Sequence, residues 1–293
     1  MPKAQRVDAT SAEDKSIGFD YQYYYFLNEL LNLKIGMTVG LEVMDDVHTE
    51  LDNDTQVLVQ LKHTIQTKAD GDPKNLTTMD SDLWKSLSNW AKVISDPSAG
   101  RYETNEQLAF VGHTRFLLAS NKSDNESNQL LKSVRDYQSE KISHEDLRAE
   151  IEEIRDATEN YVISNYISDV LALSTEVSKE YFNHLDFDLG CDEIIEKCKN
   201  SIREHHIADN RIDDVFRALD SDVRSENFDL VKSKKKIAVT FDEFRKRSRS
   251  HFDKARNERL VVRRFTGLLP EKMSEQIFIQ QLLDIDDFEP RPC

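Results

Sequence analysis

Two strand-like segments joined by one turn-rich stretch constrain the fold of this chain more than any other feature. The first segment is TVGLEVMDDVH, residues 38–48, and the second is QVLVQLKH, residues 56–63. Both contain many β-branched residues and alternate in polarity, which is typical of strands. The sequence TELDNDT lies between them, and its Asn and Asp residues favour a turn. Sequential strands with so short a connection predict an antiparallel hairpin.

The alternation of side chains along this hairpin predicts a polar cluster at its open end. With the turn centred near Asn53, positions 46 and 60 lie opposite each other, and position 42 lies near the level of position 62. Side chains on one face of a strand repeat every second residue, so Asp45 is expected to point away from the cluster. The residues expected to share one space are Glu42, Asp46, Gln60 and Lys62.

An acid, a carboxamide and an amine that lie close together suit the hydrolysis of a phosphodiester. A hard divalent cation takes oxygen ligands, which Asp46, Gln60 and a backbone carbonyl near Leu61 can supply. Such an ion polarises the phosphate and acidifies a bound water, while Lys62 orients that water or offsets charge in the transition state. Glu42 is a candidate second ligand or general base. The alternative is that Gln60 and Lys62 are solvent-facing residues of a half-exposed sheet.

The segments around the hairpin predict a small α/β domain that ends near residue 142. Apolar residues recur at helical spacing in three segments, and a further segment has the composition of a strand. The predicted elements are a helix over 18–33, a helix over 81–94 capped by Ser81, a strand over 106–114 and a helix over 128–138.

The texture of the sequence changes after residue 142. Residues 143–185 contain almost no Gly or Pro and have helical periodicity, and Ser143 with Asp146 resembles a capping box. We therefore predict an all-helical second domain over residues 143–293, which serves oligomerisation and partner docking. The further helices predicted within it cover 192–207, 213–225, 240–265 and 274–285.

Three short motifs together resemble the PD-(D/E)xK nuclease superfamily, in the variant where Gln replaces the acid of the last motif. More narrowly, they resemble the endonuclease domain of bacterial anti-phage effectors. Such domains occur in CD-NTase-associated DNA endonucleases and in the nuclease subunit of Lamassu-type systems. The resemblance covers about residues 15–115. The matching residues are Gly18, Phe19, Tyr21 and Gln22 in GFDYQ, Glu42, Asp45 and Asp46 in LEVMDDV, and Gln60, Lys62 and His63 in VQLKH.

This resemblance implies a restriction-endonuclease-like α/β domain over residues 1–142 that cleaves double-stranded DNA with Mg²⁺ or Mn²⁺. By position, Asp46 and Gln60 become metal ligands, Lys62 the catalytic lysine, Glu42 an auxiliary acid or ligand, and Gln22 a helix residue that lines the site. The helical second half resembles that of Lamassu-like nuclease subunits, which implies an SMC-like ATPase and an accessory subunit as partners. Cutting both strands needs two sites, so a dimer or tetramer is expected when active.

Charge is distributed unevenly along the chain. The net charge of −16 excludes polyanion binding over the whole surface, yet residues 231–264 hold 13 Lys or Arg against 4 Asp or Glu, a net of +9. This stretch is expected to contact DNA phosphates, in competition with docking on acidic helices of the same protein or a partner. The candidate DNA-binding residues are Lys234, Lys235, Lys236, Arg245, Arg247 and Arg249.

The remaining features favour a cytoplasmic protein without a membrane span. Cys191, Cys198 and Cys293 have no disulfide-framework spacing, which favours a reducing compartment, and the first two are expected to be buried. The chain has no run of about 18 apolar residues, and its N-terminal segment lacks the apolar part of a secretion signal. A rival function is a catalytically silent nuclease fold that binds DNA or scaffolds a defence complex.

Overall fold

The computed structural model describes residues 12–51, 53–68, 71 and 73–257, which form ten α-helices and six strands. The helices are α1 (Ala12–Leu31), α2 (Ser81–Ile94), α3 (Thr104–Gly112), α4 (Gln129–Gln138), α5 (His144–Ala157), α6 (Tyr161–Leu171), α7 (Thr175–Asn183), α8 (Ile194–Glu204), α9 (Asp209–Lys232) and α10 (Phe241–Asn257). The strands are β1 (Thr38–Leu41), β2 (Val47–Glu50), β3 (Gln56–Lys62), β4 (Thr114–Ser120), β5 (Leu185–Leu189) and β6 (Ile237–Thr240).

The strands form one mixed sheet in the order β5–β4–β3–β2–β1–β6. The pairs from β6 to β3 are antiparallel, whereas β4 lies parallel to β3 and β5 parallel to β4. In the β2–β3 hairpin Val47 pairs with Val59 and Glu50 with Gln56, so the register is centred on residue 53. The predicted register is therefore confirmed, but the first strand of the predicted hairpin is not: residues 38–41 form β1, which pairs with β2 and β6, and only β2 pairs with β3.

Helices cover both faces of the sheet, and alternate residues of β3 point to opposite faces. Val59 and Leu61 pack into a core with α1, α8, α9 and α10, and we call this side the α1 face. Leu58 packs with α2, α4, α5, α6 and α7 on the other side, the α2 face. Each face has its own buried apolar cluster, which is the usual layered solution for a sheet that must be shielded from water.

The prediction of an all-helical second domain is wrong for the described residues. β5 and β6 come from the second half of the chain and form the two outer strands of the sheet. Leu131 of α4 and Leu147 of α5 belong to one apolar cluster, although the predicted boundary lies between them. The segments LDFDL (β5) and IAVT (β6) are short, and each is a strand because of its pairing: β5 pairs with β4, and β6 pairs with β1. The predicted helix at 274–285 lies outside the described residues.

The strand predicted over residues 106–114 is also wrong. This segment forms α3, and the strand β4 begins only at Thr114. The side chain of Glu106 accepts a hydrogen bond from the backbone N–H of Glu103 at 2.8 Å, which stabilises the first turn of the helix. The short apolar run LAFV fits a helix as well as a strand, so its periodicity could not separate the two.

Several helix predictions are confirmed with small differences. α2 has the predicted bounds, but its N-cap is Asp80, whose carboxylate accepts from two backbone N–H groups, instead of Ser81. α5 begins with the predicted capping box of Ser143 and Asp146. Cys191 and Cys198 are free and buried, as expected. Within the described residues, no helix combines the length and the apolar character that crossing a bilayer requires.

Candidate active site at the open end of the hairpin

A bend interrupts the strand that the sequence predicts over residues 38–48. β1 ends at Leu41 and β2 begins at Val47. Glu42 has a left-handed backbone with φ of 53°, and its N–H donates to the carbonyl of Asp46 at 3.0 Å, which closes the bend. Because these residues are not extended, the period-two alternation of a strand does not apply to the segment between β1 and β2.

Asp46 is anchored where the β2–β3 ladder ends. Its Oδ2 accepts a hydrogen bond of 2.7 Å from the backbone N–H of Leu61. The Asp46 carboxylate thus takes the place of the backbone carbonyl that would accept this bond if the β2–β3 ladder continued. This contact holds Asp46 at the level of Gln60 and Lys62, as the hairpin register predicts. Its other oxygen, Oδ1, has no hydrogen-bond partner among the residues that the structure describes.

The carboxamide of Gln60 connects Asp45 to Lys62. Gln60 is 8% exposed; its Nε2 donates to Oδ1 of Asp45, and its Oε1 accepts from Nζ of Lys62 at 3.2 Å. Lys62 is half-buried, and this is the one hydrogen bond of its Nζ in the described part of the chain. Its ammonium group therefore retains donors for a ligand.

Asp45 does not point away from the cluster, and that expectation is wrong because of the bend. Besides the bond from Gln60, its carboxylate accepts from the indole Nε1 of Trp90 at 2.7 Å and from the backbone N–H of Asp46 at 3.0 Å. Burial raises the pKa of Asp45 to about 6; the bonds from Trp90 and Gln60 oppose the shift, and the charge of Asp46 adds to it.

Trp90 is a site residue that sequence reasoning missed. The apolar stripe of α2 identified it only as a core residue, and it is buried on the α2 face. A buried indole N–H needs an acceptor, and here the acceptor is a carboxylate 45 residues earlier in the chain. The local sequence therefore predicts that a partner exists but does not identify it.

Glu42 lines a surface groove of about 300 Å³ that lies between the bend, α1 and α9. Gln22, Arg224 and Asn227 also line it. Partial burial raises the pKa of Glu42, the charge of Asp46 raises it further, and Lys62 acts in the opposite direction. Gln22 thus lies near Glu42, on the α1 face, whereas Gln60 is on the α2 face with Leu58.

The six predicted DNA-binding residues are all exposed, but they fall into two separate groups. Lys234, Lys235 and Lys236 lie between α9 and β6. Lys236 directly precedes Ile237, which pairs with Leu41, so the lysines lie at the strand end next to Glu42. Burial lowers the pKa of His48 on β2, and the charge of Lys236 lowers it further, which reflects the same proximity.

The three arginines lie on α10. Arg245 and Arg249 line a cavity of about 410 Å³ with Leu31 at the end of α1, whereas Gln22 lies nearer its beginning. Arg247 forms an ion pair with Glu226 of α9, and Arg249 bonds to Asp253 at 3.2 Å. Arg245 and Arg249 therefore lie apart from the candidate site, whereas Arg247 lies close to Asn227, which also lines the groove of Glu42.

The oxygen atoms at the hairpin fit a hard divalent cation. Oδ1 of Asp46 is unbonded within the described residues, Oε1 of Gln60 accepts one bond, and the Glu42 carboxylate is exposed. Across the described residues, no three His, Cys, Asp or Glu side chains are grouped to hold a metal. Mg²⁺ usually keeps several waters and takes only one or two protein carboxylates, so this donor set suits it and would not suit zinc.

The fold and the site must be interpreted from the chain's own residues. In comparisons with known proteins, no family model and no curated protein matched the chain.

Proposed function

We propose that this protein is a metal-dependent endonuclease that hydrolyses phosphodiester bonds of double-stranded DNA. The observation that carries the proposal is the grouping of Asp46, Gln60 and Lys62 at the open end of the hairpin. Asp46 is bonded to the backbone between the other two residues, and Lys62 is bonded to Gln60. A carboxylate, an amide oxygen and an ammonium group with free donors are the groups that this chemistry needs.

The order of elements around the site supports a restriction-endonuclease-like core. α1 precedes the antiparallel strands β1, β2 and β3, α2 follows, and β4 returns parallel to β3. Such an α/β core is compatible with the domain class that the sequence resemblance implies, with Gln60 and Lys62 on β3 and Asp46 directly before β2. The added strands β5 and β6 extend this core at both edges.

Asp46, Gln60 and Glu42 would hold Mg²⁺ or Mn²⁺. When bound, the ion would act as a Lewis acid on the phosphate and lower the pKa of a coordinated water. Lys62 would offset the negative charge that develops on the phosphoryl oxygens while the water oxygen bonds to phosphorus and one P–O ester bond breaks. If Asp46 and Gln60 alone hold the ion, Glu42, whose pKa is raised by partial burial, would instead accept the water's proton.

The lysines of the α9–β6 turn are the proposed track for the DNA backbone. Lys234, Lys235 and Lys236 are exposed and lie beside Glu42, so they would hold phosphates next to the scissile one. The α10 arginines are less suited to this role, because Arg247 and Arg249 already bond to acidic side chains.

We further propose that the nuclease acts as a cytoplasmic effector of bacterial anti-phage defence. An SMC-like ATPase and an accessory subunit would hold it inactive, and release with assembly into a dimer or tetramer would activate it. The described residues of one chain contain one cluster of this kind, and cutting both strands of a duplex takes two. An uncontrolled nuclease would also damage the DNA of its own host.

One observation favours a second candidate, a catalytically silent fold that binds DNA or scaffolds a complex. The described residues contain no group of three potential metal ligands among His, Cys, Asp and Glu. In such a protein the lysines would still bind DNA, but Asp46 would bind no metal.

Plasmid cleavage tests these two candidates against each other. The purified chain is incubated with supercoiled plasmid and Mg²⁺ or Mn²⁺ over a range of protein concentrations, beside Lys62→Ala and Asp46→Ala. Lys141→Ala serves as the matched control, because Lys141 pairs with Asp136 on the surface at 2.8 Å. We expect the wild type and the control to cleave and both site variants to be inactive. DNA binding without cleavage by the wild type, together with no Mn²⁺ binding, would favour the silent fold.

A further inference from the structure

The orientation of the Gln60 carboxamide is set by its two neighbours. The Asp45 carboxylate can only accept hydrogen bonds, so it must face the Nε2 end of the amide. The Lys62 ammonium can only donate, so it must face Oε1. The amide therefore turns its oxygen toward the lysine and the open side of the site, and its donor toward the protein interior.

We propose that Asp45 is a positioning residue that selects an amide at position 60 and directs its oxygen toward the metal and Lys62. This inference rests on the proposed function, which makes Oε1 of Gln60 a metal ligand. Asp45 would not touch the metal or the substrate in this role, since three donors already surround its carboxylate. A ligand atom held by such a partner binds metal more tightly than a free one.

Asp45 is itself held from the α2 face. Trp90 is 1% exposed and donates to Oδ2, while the backbone of Asp46 donates to Oδ1 together with Gln60. Tyr181 is fully buried on the same side of the sheet; burial raises the pKa of its phenol, and the charge of Asp45 raises it further. Trp90 of α2 and the backbone of the bend thus fix the Asp45 carboxylate, and this carboxylate in turn fixes the orientation of the Gln60 amide.

This arrangement gives a physical reason for glutamine at a position where the resembling nucleases often carry an acid. At a pH above the pKa of Asp45, a glutamate at position 60 would place a second carboxylate oxygen against Oδ1 of Asp45 with no proton between them. Repulsion would turn the new side chain away from the pocket and away from Lys62. Gln60 is therefore required by Asp45, and the amide and the buried acid form one unit.

The test exchanges the two members of this unit. Gln60→Glu, Asp45→Asn and the double variant are compared with the wild type for Mn²⁺ binding by calorimetry and for thermal unfolding without metal. In the double variant the new amide at position 45 donates to the new carboxylate at position 60, and the amide oxygen accepts from Trp90, while the backbone N–H of Asp46 loses its acceptor at Oδ1. We expect Gln60→Glu to bind Mn²⁺ about 10- to 100-fold more weakly and to unfold at a lower temperature, and the double variant to recover most of the loss in Mn²⁺ binding and part of the loss in unfolding temperature.

A charge-matched control separates contact from long-range electrostatics. Glu50→Gln combined with Gln60→Glu leaves the net charge unchanged, as Asp45→Asn combined with Gln60→Glu does, but Glu50 is exposed and pairs with Gln56. This double variant should behave like Gln60→Glu alone. The proposal is overturned if Gln60→Glu binds Mn²⁺ as tightly as the wild type and unfolds at the same temperature, or if Asp45→Asn restores no more than Glu50→Gln does.

The two readouts also distinguish this inference from the proposed function. If the wild type bound no Mn²⁺ and cut no DNA, the nuclease proposal and the metal-directing part of the inference would fail together. Recovery of the unfolding temperature in the double variant would still support the selection of an amide by Asp45, and the lack of recovery would contradict it.

Discussion

Two lysines near the ends of neighbouring strands, Lys62 of β3 and Lys122 just after β4, have opposite environments. Lys62 pairs in register with Ser120, so the two lysines lie at the same end of the sheet. Nζ of Lys122 bonds to Asp80 at 2.7 Å and to Asp82 at 3.2 Å, and its side chain is 10% exposed. Lys62 is half-buried, and the hydrogen-bond partner of its Nζ is neutral.

This difference separates a structural lysine from one available for chemistry. Burial acts to lower the pKa of Lys122, but the bonds and charges of Asp80 and Asp82 outweigh it, so the pKa is raised. Asp80 is also the N-cap of α2, so Lys122 fixes the start of that helix against β4. Lys62 has no such task, and its side chain lies at the open end of the hairpin.

Removing the structural lysine should have the largest effect on stability. Lys122→Met leaves Asp80, whose side chain is 13% exposed, without its cation, and we expect a loss of about 3–5 kcal/mol in the free energy of unfolding. Chemical denaturation measures it. The variant's activity per folded molecule should equal that of the wild type in the cold. A stable variant that has lost cleavage would reverse the roles assigned to the two lysines.

Removing the available lysine should act on activity. Lys62→Ala is expected to reduce the rate of plasmid cleavage about 100- to 1,000-fold, since a charge aimed at the developing phosphoryl charge is lost. Its free energy of unfolding should fall by about 1–3 kcal/mol, less than for Lys122→Met, because one charge-assisted hydrogen bond to Oε1 of Gln60 disappears. Cleavage rates and denaturation curves are measured on the same preparations. A loss of stability comparable to that of Lys122→Met would contradict the comparison.

The same contrast between paired and unpaired cations applies to the basic stretch. Replacing Lys234, Lys235 and Lys236 with Ser should weaken binding of a DNA duplex about tenfold or more at low salt and make the salt dependence less steep. Replacing Arg247 and Arg249, which are paired with acidic residues, should have a smaller effect. Fluorescence anisotropy over a salt series compares the two variants. A larger effect from the arginines would place the DNA on α10.

The comparison extends to a carboxylate, that of Glu29 on α1, whose neighbouring cation is bonded to another acidic side chain. Burial raises the pKa of Glu29 on α1 to about 7, while Lys197, which is bonded to Asp188 at 3.1 Å, offsets only part of the shift. The folded state then binds more protons than the unfolded state between about pH 4.5 and 7, so stability falls as the pH rises through this window.

Glu29→Gln should remove that fall in stability. Relative to the wild type, the variant should gain about 1–3 kcal/mol between pH 4.5 and 8. Denaturation curves at several pH values measure the difference. Parallel stability profiles for the two proteins would show that the carboxyl titrates normally in the fold.

The sequence predicted the parts of the site that follow strand geometry. The turn centred on residue 53 determines the register, so Asp46 and Gln60 come together as expected. Asp45 was misplaced because the bend that begins at Glu42 breaks the alternation, and a non-glycine residue with positive φ has no clear signature in the sequence. Its contact with Trp90 is a long-range event that no local pattern contains.

The fold was predictable where periodicity is long and failed where elements are short. The 14 residues of α2 were predicted with their bounds, because they contain a full apolar stripe. β5 has 5 residues and β6 has 4, and neither can be separated from a loop or helix end by pattern alone. Both become strands because an unpaired edge of the sheet is available to them, which is a property of the assembled fold.

The order of strands also determines when the sheet can be completed during synthesis. β1 to β4 leave the ribosome first, yet the outer edges of β4 and β1 stay unpaired until β5 and then β6 have been made. The turn that carries Lys234, Lys235 and Lys236 reaches the bend at Glu42 only in that last step. A nascent chain that stops before this turn would therefore leave the outer edge of β1 unpaired and would lack Lys234, Lys235 and Lys236. The site is complete only after these residues have been translated.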